Sequence, residues 1–69
     1  MKALAHWAIH HRLKIRIAGH SAEEVWGALV GPEGRVQPFR YHLRDRRLTV
    51  GEGDQARVLE LDEYGFEVS

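Results

Sequence analysis

Five histidines in 69 residues (His6, His10, His11, His20 and His42) are the side chains best suited to chemistry. Whether they can act together depends on backbone conformation. His6 and His10 stand four apart. On a helix they would lie about 6 Å apart, close enough to share a zinc ion. On a strand the same spacing opens to about 13 Å, too far for one metal. The sequence names no specific third ligand. A histidine metal site is therefore a remote alternative, and no metal or cofactor is assigned. Nucleophilic catalysis needs a nucleophile beside a positioned base. Ser21 reads as a cap and Ser69 as a chain end. The acidic pairs Glu23/Glu24 and Asp62/Glu63 sit where turns and caps call for acids, and Gly51-Glu52-Gly53 lacks the helix a phosphate loop requires. No catalytic residue is assigned, and the chain is read as a non-enzymatic module.

A second constellation is basic. Arg12, Lys14 and Arg16 alternate in one stretch, Arg40, His42 and Arg44 in another, and Arg46 and Arg47 follow. On neighbouring strands these eight residues would form one cationic face, suited to a phosphate backbone. Net charge is zero, but it is divided. Residues 1–47 carry nine Lys or Arg against four acids, a net of +5; residues 48–69 carry one Arg against six acids, a net of −5. Either acidic strands lie beside basic ones and neutralise them across the sheet, or two patches stay apart and one recruits a partner.

The elements that would carry these residues follow from periodicity. From Ala3 to Ala18, apolar residues occupy every second position except His11, which predicts a strand with a bend near His10–His11. Against this, residues 2–12 are rich in helix formers and contain one β-branched residue. Ser21-Ala22-Glu23-Glu24 has the form of a capping box. Val25, Trp26, Leu29 and Val30 follow at helical spacing, and Gly31-Pro32 is a helix stop, so the sequence predicts one short helix at about 22–30. Strands are expected at 35–43, with Pro38 at an edge or bulge, at Leu48–Val50, at Ala56–Leu61, and at Phe66–Val68 after a turn with Gly65 in the left-handed region. The expected fold is α+β: a curved, mostly antiparallel sheet or small barrel of about five strands with one helix against it. Expected core residues are Trp7, Ile9, Leu13, Ile15, Ile17, Val25, Trp26, Leu29, Phe39, Tyr41, Leu43, Leu48, Val50, Val58, Leu61 and Phe66. The Gly53-Asp54 turn and the strand after it resemble the turn that opens a strand in many small barrels, such as OB-like and AbrB-like domains. The likeness spans about ten residues, and turn chemistry alone accounts for it.

Sixty-nine residues make one domain that buries only about 60% of its unfolded surface. With no cysteine, disulfides cannot reinforce it, so self-association is an expected source of stability. No apolar run long enough for a signal peptide or membrane span is present, so a cytoplasmic location is expected. The absence of Asn and Cys, with a single Met, fits a thermophilic origin. The functional expectation is a small binding module acting on a protein partner or on copies of itself, with nucleic acid as the alternative partner and no membrane.

Overall fold

A computed structural model of the chain describes residues 1–68. One helix, α1 (Lys2–His10), precedes five strands: β1 (Lys14–His20), β2 (Glu24–Val30), β3 (Val36–His42), β4 (Arg47–Val50) and β5 (Arg57–Glu60). The strands pair antiparallel in sequence order, β1-β2-β3-β4-β5, and the sheet does not close into a barrel. The α+β class and the curved antiparallel sheet are as expected. The helix lies elsewhere in the sequence.

Residues 3–10 are helix, not strand. Their alternation was carried largely by alanines, which count as apolar in a strand but are the strongest helix formers. Ala3, Leu4, Trp7 and Ala8 make one helical stripe, and all four are buried. Ile9 points away from it and is 70% exposed. The helix ends without glycine. Arg12 takes the left-handed conformation (φ 57°), its N–H donates to the Ile9 carbonyl, and the Leu13 N–H donates to the Ala8 carbonyl at 2.8 Å. This is a Schellman termination with Arg12 in the place usually held by Gly.

Residues 22–30 hold no helix. The Ser21 hydroxyl does accept from the Glu23 and Glu24 N–H groups, at 3.3 and 3.1 Å. Those bonds shape the turn between β1 and β2 instead of starting a helix. Val25 and Leu29 stand four apart, so they satisfy both periods. Pairing along both sides of β2, together with the weak helix preference of Val, Trp and Gly, settles the segment as a central strand. Gly31 to Arg35 then closes a hairpin, the Gly31 N–H donating to the Arg35 carbonyl at 2.8 Å.

The helix covers one face of the sheet. Leu4, Leu29, Tyr41 and Leu48 are fully buried there, joined by Trp7, Val25, Phe39, Val50 and Leu61. Leu13, Ile15, Leu43 and Leu59 pack at the margin. Ile17, Val58 and Phe66, expected inside, are at least half exposed. Leu59 faces inward in place of Val58. The final turn is built as expected: Gly65 has φ 85°, and the Asp62 carboxylate accepts from the N–H groups of Tyr64 and Phe66, both at 2.9 Å. A Cβ on Gly65 would meet the backbone of α1 at Trp7 and Ala3, so the absent side chain also lets the helix seat on this turn. Leu61 bridges to Glu67 beyond it. Pro38 lies one residue beyond the β3–β4 ladder, which begins at Phe39, and its carbonyl still accepts from the Gly51 N–H at 2.9 Å. No helix of the described residues is long and apolar enough to cross a membrane.

Candidate binding surface on the open sheet face

Among the described residues, no helix or strand lies over the sheet's second face. Side chains that are partners in register point to the same side. Rows across the sheet therefore read Arg16, Ala28, Pro38; then Trp26, Arg40, Thr49, Val58; then Glu24, His42, Arg47, Glu60. Lys14 faces this side two residues before Arg16. Of the eight residues in the expected cationic face, Lys14, Arg16, Arg40, His42 and Arg47 share it. Three do not. Arg12 terminates α1, and Arg44 and Arg46 lie in the β3–β4 turn. Arg46 belongs to the helix side. Burial pushes the Tyr41 hydroxyl above its ordinary pKa, and the nearby Arg46 charge partly opposes that shift.

The two basic stretches are not neighbours, because β2 runs between β1 and β3. The charge balance differs along the face. Arg47 lies 3.8 Å from Glu60 on the adjoining strand, which is the cross-strand neutralisation anticipated for the acidic half. Arg40 donates to Glu24 at 2.9 Å. His42 Nδ1 is 3.5 Å from the Asp45 carboxylate without forming a hydrogen bond. β1 and β5 are opposite edges of the sheet, so no acidic strand lies beside Lys14 and Arg16.

The face is concave near its centre. A basin of about 570 Å³ is lined by Arg16, Trp26, Ala28, Pro38, Arg40 and Thr49, among others. Trp26 was expected in the core. It stands instead on the open side, half-buried, with its indole across Gly19 of β1; a Cβ on Gly19 would come within 2.7 Å of the ring. The Arg40 guanidinium sits over the same ring, 5.7 Å from its centroid. The register shift between Ile17 and Gly19 brings Gly19 opposite Trp26. Reading Val25-Trp26-Gly27 with a period of two would have placed Trp26 opposite the buried Val25.

The histidines have other work. With α1 a helix, His6 and His10 are one turn apart, yet among the described residues no group of three or more His, Cys, Asp or Glu converges on one point. The His10 ring stacks on Phe66 at 4.6 Å. His11 Nε2 is 3.3 Å from the Glu67 carboxylate, which also accepts from the Trp7 indole N–H at 3.4 Å. These contacts fasten the end of α1 to the C-terminal turn. The Ser21 hydroxyl and the Asp62 carboxylate are engaged by backbone N–H groups.

No family model matches the chain, and neither a curated protein nor a solved structure matches it.

Proposed function

We propose that the protein is a non-enzymatic binding module that acts by strand pairing along the free edge of β1, with a second copy of itself as the first partner. The observation that carries this is the edge itself. β1 is seven residues long, ends the sheet, and is mostly exposed. Among the described residues no backbone hydrogen bond satisfies its outward side. An edge of this kind is a template for another strand.

Charge and shape suit a two-fold pairing centred on Ile17. Antiparallel β1 strands would then set Ile17 against Ile17 of the second copy and Arg16 against Ala18, the register shift ending regular alternation beyond them. The two half-exposed isoleucines would be covered, and no two Lys or Arg would stand directly opposite. A small domain without disulfides gains stability from such an assembly.

Sedimentation and thermal melts over a range of protein concentrations test the reading. A dimer whose melting temperature rises with concentration is expected. Ile17→Lys, a charge placed on the edge, should give a folded monomer. A wild-type protein that stays monomeric with a concentration-independent melt would refute strand pairing between copies.

A further inference from the structure

We infer that the basin around Trp26 binds single-stranded nucleic acid, with a base stacked on the indole and backbone phosphates held by Arg16 and Lys14. This goes beyond the strand-edge reading, because it uses side chains on the open face and not the backbone edge of β1. Three features of the face support it.

The first is the platform. The Trp26 indole lies across Gly19 and carries a guanidinium above it, so its outer side already accommodates a planar cation. A nucleobase is planar, and it can stack in the same place or sandwich against Arg40. Arg40 also donates to Glu24 at 2.9 Å, and this exposed pair can hold the guanidinium aside when a base takes its place over the ring.

The second is charge. Arg16 lines the basin, and Lys14 follows on the same face about 6.6 Å along the strand. Among the described residues neither has a carboxylate within ion-pairing distance, whereas Arg40 and Arg47 do. On this face the Lys and Arg side chains without an ion-pair partner among the described residues thus lie along one margin of the platform, as required to follow a phosphate chain.

The third is shape. Ala28, Pro38 and Thr49 form a low floor, so the basin is broad and shallow, with room for an unpaired base. Among the described residues no helix or ribbon projects from this face to enter a duplex groove. The ligand is therefore an unpaired strand.

Fluorescence anisotropy with a labelled oligothymidylate of about ten nucleotides tests the inference. Binding is expected at low salt, weaker as salt rises, and stronger than to a duplex of equal length. Trp26→Ala should weaken binding about tenfold and Trp26→Phe should restore most of it. Arg16→Gln should lower the salt slope by about 0.7. No binding at low salt, binding indifferent to both Trp26→Ala and Arg16→Gln, or equally tight binding of a polyglutamate peptide would each overturn it. Sedimentation of the same samples reports strand pairing separately, so the two readings fail independently.

Discussion

Leu4 and Ile9 exchange roles between a strand and a helix at the N-terminus, so mutating each to Ala tests the placement of α1. In an alternating strand, Ile9 would be core and Leu4 would face solvent. In α1 Leu4 is 0% exposed and Ile9 is 70% exposed. Leu4 packs in the cluster with Leu29, Tyr41 and Leu48, the other fully buried side chains. Leu4→Ala should therefore cost about 2–5 kcal/mol, the sum of lost transfer energy and the cavity left behind. Domains of this size are stable by only about 3–10 kcal/mol in total. The variant should lose at least about 8 °C in melting temperature, and at the upper end it would not fold. Ile9→Ala removes little buried surface and adds a better helix former, so its effect should stay within about 0.5 kcal/mol. Urea titration followed by far-ultraviolet circular dichroism measures both, and unchanged m-values would confirm that the same transition is compared. An Ile9→Ala cost equal to or greater than that of Leu4→Ala would refute the helix and restore the alternating strand.

Gly27→Ala should detach β1. A Cβ there would fall on the Arg16 carbonyl oxygen and come within 2.9 Å of the Ala18 nitrogen, and backbone on that side cannot step away without breaking the β1–β2 ladder. The expected cost is about 1–3 kcal/mol or more, with hydrogen-exchange protection lost in β1 and kept in β3 and β4; full protection of β1 at wild-type stability would contradict the packing. Tyr41 predicts an alkaline limit. Its folded pKa is raised above the ordinary value of about 10, so the stability it adds is fully present below pH 10 and is lost as pH rises through 10 toward the folded value. In a Tyr64→Phe background, the tyrosinate absorbance of the folded protein should have its midpoint above 10, and a midpoint at or below 10 would be inconsistent with the burial.

The edges of the elements were legible where turn chemistry is local. Gly65 in the left-handed region after Asp62 follows from residue type. The expected 35–43 strand contains β3 (Val36–His42), because Phe39, Tyr41 and Leu43 alternate with charged residues and have no competing helical reading. The Ser21 hydroxyl bonds were also legible, although the element they introduce was not. Five of the eight basic residues expected on one face, Lys14, Arg16, Arg40, His42 and Arg47, do share a side, because alternation within a strand fixes it.

Sequence alone determined the class of the fold, the uneven division of charge, and which side chains of an isolated strand go together. Those depend on composition and on the period-two geometry of a single segment. The choice between helix and strand for residues 3–10 and 22–30 was decided only in three dimensions. Ala3, Leu4, Trp7 and Ala8 form a stripe that has value only if a sheet lies beneath it, and Val25 and Leu29 fit either period until strands pair on both sides of them. The same holds for the site. Trp26 becomes a surface platform because β2 is a strand and because a register shift sets Gly19 under its ring. Among the described residues Lys14 and Arg16 have no carboxylate within ion-pairing distance, because the meander puts the acidic strand at the opposite edge. Pairing order is a property of the whole chain, and no window of residues contains it.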